Sequence, residues 1–212
     1  MSIDVVFSIL VLILSVVVHE VSHGFAANWL GDPTAKLQGR LTLNPIPHID
    51  PIGSVLVPLL LFFTNAGIMF GWARPVPVNP YNLRGKYGEA IVAAAGPLSN
   101  IAIAMFFGLL IRLGLTASGV AQIGGALPDS FIHMATLTVI INIVLAIFNL
   151  VPIPPLDGSK ILFAFLPYHL MQVRQTFERW GFFIVLIFIV FLWQFLTPVI
   201  GFIFTLLTGI AF

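Results

Sequence analysis

The chain of 212 residues contains no cysteine, so neither a disulfide nor a thiolate metal site is possible. Charge is also scarce. Asp, Glu, Lys and Arg make up 8% of the sequence, against roughly 25% in a soluble domain. So few ionised groups cannot cover a globular surface in water, which argues against a soluble enzyme. The nine Lys and Arg leave a net charge of +1 and are scattered. They form no phosphate-binding stripe, which argues against nucleic acid as a partner. No internal repeat, low-complexity tract or appended soluble domain is visible. What is abundant is apolar sequence: 59% of residues are hydrophobic, punctuated by 18 glycines and 15 prolines. Such a composition excludes intrinsic disorder. The expected fold is an all-α integral membrane protein, a polytopic helical bundle in a lipid bilayer, with one membrane-embedded domain over residues 1–212.

About 20 apolar residues span a hydrocarbon core roughly 30 Å thick. Residues 4–28 meet that length. They are preceded by no basic residue and contain no small-residue cleavage site before a polar chain, so a retained helix is the better reading than a removable signal. Gly31-Asp32-Pro33 stops this helix. Residues 31–51 read as loop, with a short strand at 41–43. Residues 52–72 are apolar but interrupted by Pro58, Gly67 and Gly71, and fit either a full span or a re-entrant segment. Prolines at 75, 77 and 80 forbid a helix over 73–88, which reads as extended strand and turn. Residues 89–113 form a second span with a kink expected at Gly96-Pro97, and 114–130 a Gly-rich loop. Residues 131–150 form a third span, ended by Pro152, Pro154 and Pro155. Residues 158–171 are short and amphipathic. The apolar stretch 180–212 is too long for one crossing and breaks at Thr197-Pro198. The sum is about five to six membrane segments.

Within the first span stands His19-Glu20-Val21-Ser22-His23, an H-E-x-x-H motif. Residues four apart share one helix face, so both imidazoles can bind one ion. Neutral imidazole suits zinc, and the intervening glutamate can take a proton from a zinc-bound water. Three ionisable groups in one turn of a membrane helix are costly and point to function. A catalytic zinc takes three protein ligands and one water. Among the eight acidic residues, Asp157 stands out, just past the third span in a proline-rich segment. The same residue reads equally well as a helix N-cap before Gly158-Ser159-Lys160.

Three motifs in this order resemble the site-2 protease family of intramembrane zinc metalloproteases: HEVSH in the first span, AGPLSN at 95–100, and FNLVPIPPLDG at 148–158. The resemblance extends from residue 4 to about 170. It is to the short form of the family, without a PDZ or CBS domain. It implies that His19, His23 and Asp157 bind one Zn2+ and that Glu20 is the general base. It also implies that Asn149 polarises the scissile carbonyl or holds the substrate. The implied substrate is a transmembrane protein or peptide, such as a membrane-tethered transcription regulator, an anti-sigma factor or a remnant signal peptide. Without that resemblance, a metal-ion transporter or a non-catalytic membrane scaffold is the competing reading.

The zinc reading makes a topological demand that charge tests independently. The ends of the spans at 4–28 and 131–150 must lie on one side, so residues 52–72 must enter and return. Lys36, Arg40, Arg74, Arg84, Lys86, Lys160, Arg174 and Arg179 then share a side, with only Arg112 near the other. Cytoplasmic loops carry excess Lys and Arg, so the site is expected toward the cytoplasm of a prokaryotic cell membrane. Asn100 and Asn142 are expected to hydrogen-bond between spans. Trp72, Trp180 and Trp193 are expected at membrane interfaces. His48, His133 and His169 are expected at loops or span ends, outside the metal site.

Overall fold

A computed structural model of the protein describes residues 3–64, 71–120, 129–167 and 171–212. Eight α-helices lie among them: α1 (Ile3–Trp29), α2 (Thr34–Leu37), α3 (Val57–Phe63), α4 (Gly88–Val120), α5 (Asp129–Leu150), α6 (Asp157–Ala164), α7 (Met171–Ile187) and α8 (Thr197–Thr208). Three helices are long and apolar enough to cross a membrane, over Val5–Trp29, Gly88–Gly114 and Ser130–Leu150. Their outer faces leave Val6, Leu10, Leu14, Phe106, Leu109 and Leu113 exposed, as helices surrounded by lipid require. The protein is thus a helical membrane protein.

The spans expected at 4–28, 89–113 and 131–150 coincide with α1, α4 and α5 to within a few residues, apart from the far end of α4. That helix continues to Val120, so the first residues of the predicted loop at 114–130 are helical. The rest of that loop, residues 121–128, lies outside the described residues. The helix passes through Pro97, whose missing N–H removes one rung of the ladder. The apolar core joins α4, α5 and α8 through Ala104, Ile111, Val139, Ile143, Ile200 and Phe204. A Cβ on Gly108 would lie 2.8 Å from Leu207 Cβ; the missing side chain lets α8 approach α4. The predicted break near Thr197-Pro198 falls where α8 begins. Before it, Phe188–Leu192 form a π-helical turn and Trp193–Phe195 a 3-10 turn.

The expected β element is not found: no strand lies among the described residues. Residues 41–43 and 71–79 form no regular element. Prolines 75 and 77 remove two of the donors that a ladder needs, and the segment is held by other groups. Trp72 N–H donates to Gly53 C=O at 3.1 Å and Arg74 N–H to His48 C=O at 2.9 Å. The Arg40 guanidinium donates to the Arg74 carbonyl at 2.8 Å. Asp32, fully buried, anchors the far end: it accepts the Asn79 N–H at 2.7 Å and the Asn82 carboxamide at 2.9 Å. Burial alone would push the Asp32 carboxyl up, but hydrogen bonds from Thr34, Asn82 and Asn79 outweigh it and hold it below its ordinary value. The segment is therefore a strap, tied at both ends across the end of α1.

Of the ambiguous stretch 52–72, residues 65–70 lie outside the described residues. Asp50 caps the turn Pro51–Leu56 by accepting the N–H groups of Ile52 and Gly53.

Candidate functional site

His19 and His23 lie one turn apart on α1, with ring centroids 4.7 Å apart. Both are buried, as is Asp157. Asp157 sits at the first position of α6, where Gly158 lets the chain turn tightly. A Cβ on Gly158 would lie 2.2 Å from the Leu150 carbonyl oxygen. The turn brings Asp157 Oδ2 to 3.1 Å from His19 Nε2 and 3.1 Å from His23 Nε2. Asp157 does not serve as the side-chain N-cap of α6; that position is Leu156.

The protons of these groups can be placed. His23 Nδ1 lies 2.7 Å from the Val92 carbonyl oxygen, which only accepts, so Nδ1 carries the hydrogen. His19 Nδ1 lies 2.6 Å from Asn100 Oδ1 and donates to it. In neutral rings both Nε2 atoms are then lone pairs, and they face a carboxylate oxygen that is also only an acceptor. Three lone pairs converge on one point and require positive charge there, either a proton on a ring or a metal ion. Asp157 is held in the ionised form. Burial pushes its carboxyl up, but the facing imidazoles and Lys160, whose Nζ lies 3.4 Å from Oδ1, bring it well below the usual carboxylate range.

The donor set fits a tetrahedral cation. Bonds of 2.0–2.2 Å place neighbouring ligand atoms about 3.4 Å apart, close to the 3.1 Å seen here. All three donor atoms lie within 4.8 Å of one another. Each histidine also gives its other N–H to a carbonyl oxygen, as metal-bound imidazoles do. Gly96 of α4 leaves the space free: a Cβ there would lie 2.4 Å from His23 Nε2 and 2.6 Å from His19 Nε2.

These residues open on a cavity of about 690 Å³, whose wall includes Glu20, Trp72, Val76, Asn149, Lys160 and Phe182. Glu20 is half-buried, and its Oε2 accepts the Val76 N–H of the strap at 2.8 Å. Asn149 reaches the wall from the end of α5, but one of its amide hydrogens is given to the Leu145 carbonyl at 2.9 Å.

Comparison with known proteins gives the cluster a context. The protein named "Putative zinc metalloprotease YwhC" of Bacillus subtilis is 38% identical over 193 residues, which cover 91% of this chain and 81% of the relative. The chain belongs to the site-2 protease family. The model of this family, peptidase family M50, matches residues 117–192, the part that contains Asn149 and Asp157. Rip2 of Mycolicibacterium smegmatis, a relative with a name of the same form, is 30% identical over 190 residues; the chain spans 84% of itself and 64% of that protein. No solved structure matches the chain.

Two features of the cluster are not legible in the motifs. The contact of Asn100 with His19 crosses between spans; the sequence pointed only to interspan hydrogen bonding by Asn100 and Asn142, which do meet at 2.9 Å. Gly96, read as part of a kink, is the residue that admits the imidazoles. A count along the two helices could have found both, since Asn100 is four residues after Gly96 and shares its face. Of the other histidines, His48 is buried with Nε2 on the Thr42 carbonyl and His133 is exposed on α5, both outside the cluster. His169 lies outside the described residues.

Proposed function

We propose that this protein is an intramembrane zinc metalloprotease that hydrolyses peptide bonds within or beside transmembrane segments of other membrane proteins. The observation that carries the reading is the convergence of His19 Nε2, His23 Nε2 and Asp157 Oδ2 beside Glu20 in one cavity. The names of the family relatives support zinc and proteolysis.

His19, His23 and Asp157 would hold one zinc ion per chain. When bound, zinc supplies the Lewis acidity that makes a water nucleophilic near neutral pH. Glu20 accepts the proton of the attacking water and returns it to the leaving amine. Its Oε1 has no partner among the described residues and is free for this task, while the Val76 N–H fixes Oε2. Asn149 has one amide hydrogen without a partner among the described residues, which can donate to the substrate carbonyl as negative charge develops there. General acid–base catalysis of this kind contributes about 10²–10⁴-fold.

A substrate helix hides its amides in internal hydrogen bonds and must unwind before attack. The strap offers a partner for the unwound segment. Its residues 72, 74 and 76 have backbone groups engaged by the protein. Among the described residues, the Ala73 N–H and C=O and the Pro77 C=O have no hydrogen-bond partner. An extended substrate can add to that edge.

The same contacts support a topology. His23 beside Val92, and Ser15 and His19 beside Asn100, set α1 and α4 antiparallel. The end of α1, the start of α4 and the end of α5 then lie at one level. Gly53 and Ser54 are both hydrogen-bonded to Trp72, which supports a re-entrant path for the stretch between them. We take the remaining membrane segments to be α7 and α8. The basic residues gathered on this side argue for a site facing the cytoplasm of a prokaryotic cell. His19 lies ten residues before the end of α1 at Trp29, so about 15 Å along the helix; water reaches it through the cavity.

The test is proteolysis of membrane fragments. Proteomes of cells carrying wild-type or Glu20→Gln protein are compared. Fragments cut inside transmembrane segments that accumulate only with the wild type support the reading; identical fragment sets contradict it.

A further inference from the structure

Behind the metal cluster lies a line of buried polar groups that the proposed reaction does not use. Asn100 on α4 and Asn142 on α5 are both fully buried, and Ser15 on α1 is nearly so. Asn100 Oδ1 accepts from His19 Nδ1 at 2.6 Å. Asn100 Nδ2 donates to Asn142 Oδ1 at 2.9 Å and, more weakly, to the Ser15 carbonyl at 3.4 Å. Asn142 Nδ2 donates to Ser15 Oγ at 2.9 Å and to the Thr138 carbonyl at 2.9 Å.

A carboxamide can be turned over with little change in shape, so its orientation is set by its partners. Here each partner fixes the next. The Thr138 carbonyl is an acceptor only, which turns the Asn142 NH2 toward it and Oδ1 toward Asn100. That oxygen demands the Asn100 NH2, which turns Asn100 Oδ1 toward His19. An oxygen at that position demands a hydrogen on His19 Nδ1 and leaves Nε2 as the lone pair. Were Asn100 turned over, its NH2 would face Nδ1. The neutral ring would then carry its hydrogen on Nε2, where no metal can bind.

We infer that Asn142, which does not touch the histidine, is a positioning residue that fixes the metal-binding tautomer of His19 through Asn100. The inference rests on the zinc-site reading above. Asn142→Leu removes the acceptor that orients Asn100, while Asn142→Asp keeps an oxygen acceptor there in either protonation state. A purely structural role would not separate the two in this order. Thr138→Val, one turn away on α5, alters a buried hydroxyl that, among the described residues, bonds only to the Met134 carbonyl.

The test is titration of metal-free protein in detergent with Co2+, whose visible absorption reports coordination, together with 15N imidazole shifts of the same metal-free proteins. Asn142→Leu is expected to weaken Co2+ binding 10–100-fold, as loss of a partner behind a metal ligand does, with Asn142→Asp and Thr138→Val within about threefold of wild type. The shifts are expected to show a hydrogen on His19 Nδ1 in wild type, whether or not Nε2 also holds a proton toward Asp157, with the signal identified by its loss in His19→Gln. Equal Co2+ affinity in wild type and Asn142→Leu overturns the inference. So does a His19 whose Nδ1 carries no hydrogen in the metal-free wild type, a result that needs no variant at position 142 to fold. Absence of any Co2+ or Zn2+ binding by the wild type contradicts the metal-site reading instead, and the imidazole shifts still decide the tautomer.

Discussion

Glu20 Oε2 accepts the Val76 N–H at 2.8 Å, a bond between residues 56 positions apart. It ties the proposed proton acceptor to a strap that is itself tied down by Asp32 at one end and Arg40 at the other. A carboxylate on a flexible side chain is thereby held at one place in the cavity. Val76→Pro removes this hydrogen, and Val76→Ala, which keeps it, controls for the lost packing of the buried side chain. Hydrogen bonds to charged groups contribute about 1.5–3 kcal/mol, so kcat for a membrane-helix substrate is expected to fall on the order of tenfold or more. KM and zinc content should stay near wild type. Steady-state kinetics with metal analysis of the same preparations checks this.

Glu20→Gln keeps the shape of the side chain and removes the basicity. Cleavage should drop by about 10²–10⁴-fold with zinc retained. Metal analysis beside a cleavage assay reads both quantities. If zinc is lost together with activity, Glu20 is a structural residue and the assigned role fails.

Gly96→Ala places a Cβ where His23 Nε2 and His19 Nε2 stand, at 2.4 and 2.6 Å. Real contacts of this kind do not occur, so α1 and α4 must move apart or the rings must turn away. Forced overpacking costs about 1–3 kcal/mol. The expected outcome is a variant that inserts and folds with a lower melting temperature and binds no zinc. Melting curves and metal content measured together distinguish this from simple misfolding.

Asp32 gives the fold a defined response to acid. Its folded carboxyl lies below its ordinary value, so the stability it contributes is fully present above about pH 4, the ordinary aspartate value. That stability is lost as pH falls through the lower folded value. Asp32→Asn is expected to melt lower at neutral pH and to show a flatter acid limb than the wild type. Melting temperatures between pH 3 and pH 7 measure the difference between the two profiles.

The absence of cysteine makes single-cysteine labelling clean. Tyr81 is 97% exposed and lies just beyond the strap; residue 78 lies within it. A cysteine at either position should resist impermeant thiol reagents added to intact cells and react after lysis. Labelling from outside would reverse the proposed orientation.

The motif carried most of the site because helix geometry is periodic. His19 and His23, four apart, had to share a face, and the span lengths of α1, α4 and α5 follow from apolar run length alone. The partner Asp157 was legible only as one of two readings, since a residue after prolines and before glycine suits a helix start equally well. The structure separates these by the turn at Gly158, which aims the carboxylate at the imidazoles. The non-helical character of 73–79 was legible from its prolines. Its lack of a strand partner was not, because pairing depends on which groups the fold brings alongside; here Arg40, His48, Glu20 and Asp32 occupy that place. The orientation of Asn100 was equally hidden, since it is decided by α5 and not by its own motif.

The central claim is that two imidazoles and one carboxylate hold a single zinc ion. X-ray absorption at the zinc edge of the purified wild-type protein tests it most directly. The account predicts one zinc per chain, with scattering from two imidazoles and from oxygen donors, at distances of about 2.0–2.2 Å. A zinc ion surrounded only by oxygen, with no imidazole scattering, would contradict it.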